Sequence, residues 1–253
     1  MTATELTNTQ KAIINDLANG WQQKSAKAIE KAVPGSEADI TALVRSGHLV
    51  RETVSQQRDF FSVSTEVYKL TTEGERVADT LRGRDSAEIE QVTINHVLLA
   101  VSDAADRTLA RASITTKEVG PKRLGFLLGK MESEGLLTSQ RITQGFFSHA
   151  AYQLTVAGER AVDVLTGRDS AEYERHAVAT ILRRLEGKPD GLTTASLLGT
   201  GGLGPARLAA AFAGLAQKGQ VEEIRIQQGS FFSSPGIRLT PSALRNQQPA
   251  CTG

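Results

Sequence analysis

The chain has 253 residues, of which 40% are hydrophobic and 23% are charged, and its formal net charge is +1. This composition is typical of a soluble globular protein. No apolar run approaches the roughly 20 residues that span a bilayer, and the N-terminus "MTATELTNTQ" lacks the basic and apolar regions of a signal peptide. The single cysteine, Cys251, leaves no internal disulfide, so we expect a cytoplasmic protein without membrane association.

Several passages of the sequence recur at a spacing of 84 residues. "GRDSAE" begins at Gly83 and again at Gly167, and "KLTTEGERVAD" from Lys69 matches "QLTVAGERAVD" from Gln153. A weaker third copy, "RLTPSAL", begins at Arg238. Because the spacing exceeds the roughly 20–50 residues of a solenoid repeat, it predicts small domains in tandem. We predict three such repeats, over residues 1–84, 85–168 and 169–253, and a polar C-terminal tail "RNQQPACTG".

The predicted elements follow one order in each repeat. Repeat 1 has three helices, "NTQKAIINDLANG", "SAKAIEKAV" and "SEADITALVRSG", and then a two-stranded hairpin, "HLVRETVSQQRDFFSVSTEVYKLT", before its last helix. Compared with repeat 2, its third helix looks about a turn shorter and its hairpin loop longer. The sequence thus predicts a mainly helical α+β fold with small β-hairpins.

Repeat 2 gives the clearest pattern. Asp85 and Glu88 form a start signal for a helix that runs to about Ser102, and a short second helix fits residues 108–112. Pro121 suits the first position of a third helix, "PKRLGFLLGKMESEG". The hairpin "LLTSQRITQGFFSHAAYQLT" and the helix "AGERAVDVLTG" follow. Repeat 3 predicts the same order, with "SAEYERHAVATILRRLEG", "GPARLAAAFAGLAQKG" and "VEEIRIQQGSFFSSPGIRLT" as its first helix, third helix and hairpin.

This order resembles that of a winged helix-turn-helix domain. The strings "EVYKLTTEGERVAD" and "AAYQLTVAGERAVD" resemble the passage from the second wing strand to the last helix in bacterial DNA-binding regulators of the MarR and PadR types. The resemblance covers nearly the whole chain, three times over. It implies three tandem winged helices, in which the third helix enters the major groove and the hairpin, or wing, touches the flanking backbone or minor groove.

These two elements carry the candidate DNA-binding side chains. Cationic groups neutralise phosphates, while amides and hydroxyls hydrogen-bond phosphates or base edges. The candidates are Lys117, Lys122 and Arg123 around the third helix of repeat 2, Arg141, Thr143 and Gln144 in its wing, Arg207, Arg225, Gln227 and Gln228 in repeat 3, and Arg51, Gln57 and Arg58 in the wing of repeat 1. The N–H groups of "GTGGLGP" could also meet a phosphate at a helix N-terminus, and the alternative for this stretch is a flexible loop.

Repeat 1 differs at its third helix. Glu37 and Asp39 favour the helix N-terminus through the macrodipole but would repel a phosphate backbone. We infer that repeat 1 binds nucleic acid weakly through this helix, or that it instead docks a protein partner or another copy of the chain. The three repeats carry net charges of 0, −1 and +2, so DNA affinity would depend on local clustering of charge and on the tandem linkage.

Each predicted hairpin also carries a pair of phenylalanines just past its turn. The pairs are Phe60 and Phe61, Phe146 and Phe147, and Phe231 and Phe232. Strand alternation places the first ring of each pair towards the core and the second, Phe61, Phe147 or Phe232, outwards. The outward rings would contact a neighbouring repeat or a partner, enter a minor groove or stack on unpaired bases. Alternatively, both rings clamp the hairpin onto the helices.

The sequence contains no arrangement typical of an enzyme. The histidines, His48, His96, His149 and His176, lie far apart, and no cluster of cysteine and histidine suits a metal ion. "GTGGLGP" lacks the Lys-Ser/Thr of a phosphate-binding loop. Glu73 and Glu75 beside Arg76 look like solvated charge on a surface helix. We therefore expect neither catalysis nor a cofactor.

We interpret the chain as a bacterial, nucleoid-associated protein that binds double-stranded DNA through its third helices and wings. It would serve as a transcriptional regulator or as a replication, partition or nucleoid factor. The alternative is a winged-helix scaffold that holds other proteins in a complex without touching DNA. The near-neutral charge and the acidic third helix of repeat 1 favour the scaffold, and the polar and basic wings favour DNA.

Overall fold

The computed structural model describes residues 5–58, 61–104, 107–144, 147–198, 202–228 and 232–247. For residues 56–58, 61, 144, 147, 228, 232 and 245–247 it describes the backbone and not the side chains. The chain divides into two compact units. The N-terminal unit comprises Met1–Val97 and Ile114–Ser133, and the C-terminal unit comprises Leu98–Ser113 and Glu134–Gly253. Their boundary crosses a helix of repeat 2, and the division into three domains stays a prediction.

The N-terminal unit contains helices on both sides of one hairpin in the sequence. Its elements are α1 (Asn8–Ala18), α2 (Ala26–Ala32), α3 (Glu37–Arg45), β1 (Leu49–Arg58), β2 (Phe61–Leu70), α4 (Thr72–Leu81), the first part of α5 (Ser86–Asp103) and α6 (Pro121–Ser133). Thr7 starts α1 with a capping box that it forms with Gln10. Asp85 accepts N–H bonds from Ala87 and Glu88, as predicted for the start of α5.

The hairpin of this unit pairs β1 with β2 in antiparallel register from Leu49 opposite Leu70 to Arg58 opposite Phe61. An isolated bridge between Lys24 and Tyr68 adds a third segment beside β2. We predicted a longer loop for this hairpin than for the others. The additional residues lie in its strands instead, which have ten residues each, against eight in the hairpins of the C-terminal unit.

One apolar core holds repeat 1 together. α1 buries Ile13, Ile14 and Leu17 on one helical face, as expected from their spacing. They pack in one cluster with residues from the other helices and both strands, including Ile29, Ile40, Leu43, Leu49, Leu70 and Val77. The base of the hairpin, but not its far end, is therefore anchored in the core.

The C-terminal unit contains two small sheets. Its elements are the end of α5, β3 (Thr108–Ala110), a 3-10 turn (Arg111–Ser113), β4 (Leu137–Gln144), β5 (Phe147–Leu154), α7 (Val156–Leu165), α8 (Ser170–Glu186), β6 (Leu192–Thr193), α9 (Thr194–Leu197), α10 (Pro205–Gln217), β7 (Val221–Gln228), β8 (Phe232–Leu239) and α11 (Pro241–Gln247). The sheets have the orders β3-β5-β4 and β6-β8-β7, all antiparallel.

The short helix predicted over 108–112 is wrong. Residues Thr108–Ala110 form a strand that pairs with Gln153, Tyr152 and Ala151 of β5. Five residues are too few for an isolated helix to be stable, whereas pairing with the open edge of β5 gives the segment hydrogen-bond partners for the backbone groups that face it.

The core of repeat 3 is formed in the same way as that of repeat 1. α8 contributes Ala177, Ile181 and Leu185, and α10 contributes Leu208, Phe212 and Leu215. The two units together confirm a mixed α+β fold with small antiparallel sheets, in which an order of helix, helix or strand, helix, hairpin and helix occurs three times. Within the described ranges, no helix has the length and apolar character needed to cross a membrane.

Candidate nucleic-acid interface

Arg123, a predicted phosphate contact at the start of α6, lies inside the N-terminal unit with 0% of its surface exposed. Its Nη1 donates to Asp79 Oδ2 at 2.5 Å, its Nη2 to the carbonyl of Ser86 at 2.8 Å and its Nε to Glu90 Oε1 at 3.0 Å. A guanidinium that is buried and saturated with acceptors cannot reach a nucleic acid, so the prediction for Arg123 is wrong.

Arg207 of α10 has the same environment in the C-terminal unit, where it is 3% exposed. It forms an ion pair with Asp163, donates to the carbonyl of Ser170 at 3.1 Å and lies 3.0 Å from a carboxylate oxygen of Glu174. All four residues stand 84 positions after their counterparts around Arg123. The predicted DNA contact of Arg207 is therefore wrong for the same reason.

A buried glutamate closes the N-terminus of both helices. Glu75 accepts the N–H of Gly120 at 2.8 Å, and Glu159 accepts those of Gly204 at 3.0 Å and Ala206 at 3.2 Å. Since a carboxylate of the protein occupies the anion position of the helix start, the phosphate that was one of the two alternatives for "GTGGLGP" has no place at Gly204.

Glu75 was predicted to be solvated, but it is 2% exposed. Burial raises the pKa of Glu75 to about 7, against the lowering effect of its hydrogen bonds with the Gly120 and Arg123 backbone. Burial also raises the pKa of Glu159, while the positive charge of Arg107 acts against that shift. We name these clusters the first junction (Glu75, Asp79, Glu90, Gly120, Arg123) and the second junction (Glu159, Asp163, Glu174, Gly204, Arg207).

The third helix of repeat 1 is closed by a different glutamate. Glu30 accepts the N–H groups of Gly35 and Ser36 at 2.7 and 2.8 Å, and the hydroxyl of Ser36 at 2.7 Å. Glu37 is exposed in the first turn of α3, and Asp39 accepts a hydrogen bond from Thr7. All three third helices thus begin against a carboxylate of the protein itself.

The solvent-facing sides of these helices differ in charge. α10 exposes only uncharged side chains, Ala209, Ala210, Ala213, Ala216 and Gln217. α6 exposes Lys122 and Phe126, and the Lys122 ammonium lies 2.5 Å from Glu52. Lys117 is exposed before α6, and its carbonyl accepts a hydrogen bond from Trp21 Nε1. Exposed cationic side chains are therefore found on α6 and, as Arg45, in the last turn of α3, but not on α10.

The hairpins keep the remaining predicted residues at the surface. Arg141, Thr143, Arg225 and Gln227 are exposed, and no described residue forms an ion pair with either arginine. Arg51 is also exposed, but it lies 3.7 Å from Glu66 on the paired strand. The predicted side chains of Gln57, Arg58, Gln144 and Gln228 lie outside the described residues.

We define the hairpin ends as residues 139–150 and 224–236, which contain the turns of the two hairpins in the C-terminal unit. Neither segment contains an aspartate or glutamate. The hairpin of the N-terminal unit contains Glu52, Asp59 and Glu66 instead. Within the hairpin ends, the described cationic and hydrogen-bonding groups therefore have no acidic residue beside them, although the exposed Glu223 stands two positions before Arg225.

The second phenylalanine of each pair lies at the start of the second strand of its hairpin. Phe61, Phe147 and Phe232 begin the second strands, opposite Arg58, Gln144 and Gln228. Their side chains, and the whole of Phe60, Phe146 and Phe231, lie outside the described residues. The outward contacts of these rings stay a prediction.

The part of the chain that the structure describes contains no group of three or more His, Cys, Asp or Glu residues that could hold a metal ion. No protein-family model matches this chain, and no curated protein is similar to it in sequence. The resemblance to MarR- and PadR-type regulators and the absence of catalysis stay predictions.

Sequence reasoning missed the two junctions, although the sequence contains a signal for them. Glu-x-x-x-Asp in the last helix of one repeat precedes Gly-x-x-Arg in the next repeat by a constant interval, and Arg123 and Arg207 each stand 44 positions after their aspartate, Asp79 or Asp163. We interpreted the arginines by their place in the fold and not by this paired recurrence.

Proposed function

We propose that the chain is a double-stranded DNA-binding protein that contacts the duplex through its hairpin ends and not through the N-terminal turns of its third helices. The repeats would be three tandem winged helices, which the threefold recurrence of the element order supports. The protein would act as a transcriptional regulator or as a replication, partition or nucleoid factor.

The single observation that carries this proposal is the chemistry of the hairpin ends. Arg141 and Arg225 are exposed at equivalent places of two hairpins, beside Thr143 and Gln227. Each pair combines a phosphate-neutralising group with a neutral hydrogen-bonding group. The segments themselves contain no carboxylate that would repel the phosphate backbone, and Glu223 lies just outside the second segment, two positions before Arg225.

The affinity of such a surface should be modest and additive. Two arginines in one unit supply few phosphate contacts, and the net charge of +1 adds little long-range attraction. A surface of this kind is suited to contact with backbone phosphates more than to base reading, because base readout needs a helix or ribbon with several bidentate side chains in the groove.

The test is duplex binding by fluorescence anisotropy over a salt series from about 50 to about 200 mM. The double variant R141Q/R225Q should weaken binding, and the slope of log K against log salt should fall by about 2, since each phosphate contact contributes about 0.9. The control is R183Q/K218Q, which removes two exposed charges of the same unit outside the hairpins.

Two results would contradict the proposal. One is an absence of binding at the lowest salt concentration. The other is an equal loss of duplex affinity in R141Q/R225Q and R183Q/K218Q, which would show that the affinity depends on net charge alone.

The alternative function, a scaffold that binds other proteins, is supported by the uncharged outer face of α10 and by the closed helix N-termini. If the chain does not bind DNA at low salt, the scaffold becomes the leading proposal.

A further inference from the structure

The N-terminal unit contains a cavity of about 380 Å³ beside the first junction. Its apolar walls are formed by Leu17, Leu70, Pro121 and the indole of Trp21. Polar groups line the rest of the cavity, and Glu75 of the junction is among them. From these groups we propose that the cavity is a mononucleotide-binding site, in which Trp21 stacks on the base and Lys69 and Lys122 bind the phosphate.

Trp21 is held in an unusual conformation. Its φ is +52°, in the left-handed region that bulky side chains rarely adopt. The indole Nε1 donates to the carbonyl of Lys117, while the ring packs against the core of repeat 1. Backbone strain of this kind is concentrated at functional sites, and it fixes the ring as one wall of the cavity. An indole face is a good platform for a nucleobase, since stacking tolerates every base.

The cationic side of the cavity is formed by two ammonium groups. Lys69 Nζ and Lys122 Nζ each lie 2.5 Å from a different oxygen of Glu52. Hydrogen bonds from Lys122 and Lys69 lower the pKa of Glu52 to about 2, so this carboxylate is ionised and the three groups carry a net positive charge. A phosphate can take the place of Glu52 as the partner of both ammonium groups and would form charge-assisted hydrogen bonds with them.

The remaining lining groups suit the edge of a base. Gln22 and Gln23 offer amide donors and acceptors, and Glu75 offers a carboxyl group at the buried side. A planar ligand with polar edges and one anionic group matches this set, and a nucleotide is the ligand class that combines these properties.

The second junction lacks this set, so the cavity groups are not a requirement of the fold. Gln153 and Ala206 stand 84 positions after Lys69 and Lys122. Beside Glu159 lies Arg107, whose Nη2 donates to the carbonyl of Gly202 at 2.9 Å. The second junction also borders a cavity of about 380 Å³, but Arg107 lines it and none of its lining residues is aromatic.

The experiment uses the intrinsic fluorescence of the full chain, because Trp21 is its single tryptophan. AMP, GMP, CMP and UMP should each quench this fluorescence in a saturable way. Adenosine should bind about tenfold more weakly than AMP, because it lacks the phosphate contacts. A short oligodeoxyadenylate is the second arm: saturable quenching by AMP alone identifies a free nucleotide, and quenching by both identifies nucleotides within a single strand as well.

Two variants should shift the affinity for AMP in opposite directions. K122Q removes a phosphate partner and should weaken binding about tenfold, whereas E52Q removes the competing carboxylate and should tighten it severalfold. K218Q, an exposed lysine of the C-terminal unit, should leave affinity unchanged. Circular dichroism of each variant separates loss of binding from loss of folding.

The proposal is overturned if none of the nucleotides changes the fluorescence of Trp21. It is also overturned if adenosine binds as tightly as AMP, or if folded K122Q and E52Q both bind AMP as the natural chain does. The result is independent of duplex binding by the hairpin ends, since the two tests involve different residues in different units.

Discussion

The two junctions are built from the same residue types at the same spacing, yet their surroundings differ. In both, a buried arginine pairs with an aspartate, and a buried glutamate accepts the N–H of a glycine at a helix start. Each junction borders a cavity of about 380 Å³, but Trp21 forms part of the wall of the first cavity, whereas Arg107 lines the second. The arginine–aspartate pair and the glutamate–glycine hydrogen bond connect the last helix of one repeat to the third helix of the next. The residues that line the adjoining cavity differ, so they can serve another role.

A second difference concerns the outer partner of each aspartate. Arg84 lies 2.5 Å from Asp79, while Arg168 lies 4.0 Å from Asp163 and is half exposed. The first junction therefore keeps a cation close to its aspartate even without Arg123. The second junction depends more heavily on Arg207.

The largest expected effect comes from removing the buried arginines. R207M should lower the free energy of unfolding by about 3–5 kcal/mol, because it leaves Asp163 buried without a close cation. R123M should cost about 1 kcal/mol less, since Arg84 still pairs with Asp79. Urea unfolding followed by circular dichroism measures both, with the exposed Arg183 replaced by Met as control. Equal losses in R123M and R207M would show that Arg84 contributes nothing to the first junction.

The junction glutamates should respond differently to pH. The pKa of Glu75 is raised from 4.5 to about 7 in the folded chain, so its protonated form favours folding. The stability from this group is fully present below pH 4.5 and is lost as pH rises towards 7, after which the penalty stays constant. The side chain in E75Q stays neutral at every pH, so the free energy of unfolding of this variant does not fall for this reason.

From about pH 5 to about pH 8, E75Q should therefore gain about 2–3 kcal/mol of stability relative to the natural chain, since one pKa unit is worth about 1.4 kcal/mol. E159Q should gain less, because Arg107 opposes the rise in the pKa of Glu159. Urea unfolding at both pH values tests this, with Trp21 fluorescence reporting on the N-terminal unit. A larger gain for E159Q would contradict the role assigned to Arg107.

The fold was predictable to the extent that its signals are local. Helical spacing in α1, Asp85 as the cap of α5 and Pro121 at the start of α6 each depend on a few neighbouring residues. The strand at 108–110 was missed because its partner, β5, lies about 40 residues away in the sequence, where no local pattern indicates it.

The site was less predictable, because burial of a charge depends on distant partners. Arginine is almost never fully buried unless it is paired, so Arg123 and Arg207 were taken for surface residues. Their partners lie 44 positions earlier, in another helix. The exposed residues of the hairpin ends, such as Arg141, needed only strand alternation and the turn signal to be placed correctly.

The residues that form a junction are missing from the third helix of repeat 1 and from α11. In repeat 1, Ser36 and Asp39 stand 84 positions before Gly120 and Arg123, and Glu30 closes the helix instead. In α11, Thr240 accepts the N–H of Ala243, which places Leu244 where the earlier repeats have Glu75 and Glu159. α3 therefore lacks the Gly-x-x-Arg half of a junction, and α11 lacks the Glu of the other half. Two copies of the chain could not form a junction between these helices, so self-association would need a different contact.

The smallest expected effect concerns the junction glycines, and it tests the close approach that both junctions share. A Cβ at Gly120 would lie 2.4 Å from a Glu75 oxygen, and a Cβ at Gly204 would lie 2.3 Å from a Glu159 oxygen and 2.6 Å from Arg107 Cδ. Because both carboxylates are buried and bonded to these same N–H groups, they have little room to move. G120A should cost about 1–3 kcal/mol, and G204A at least as much, since overpacking a buried site forces the neighbours to shift.

Gly125 provides the matched control. It lies in α6, the helix that begins directly after Gly120, and a Cβ at Gly125 would meet nothing within 4 Å. G125A should stabilise the chain by about 0.5–1 kcal/mol, since alanine favours a helix interior over glycine. Thermal unfolding of the three variants compares the signs directly. If G120A stabilises the chain as G125A does, Glu75 is free to swing away from the helix start. The close approach would then be a feature of the second junction alone, where Arg107 adds to the crowding.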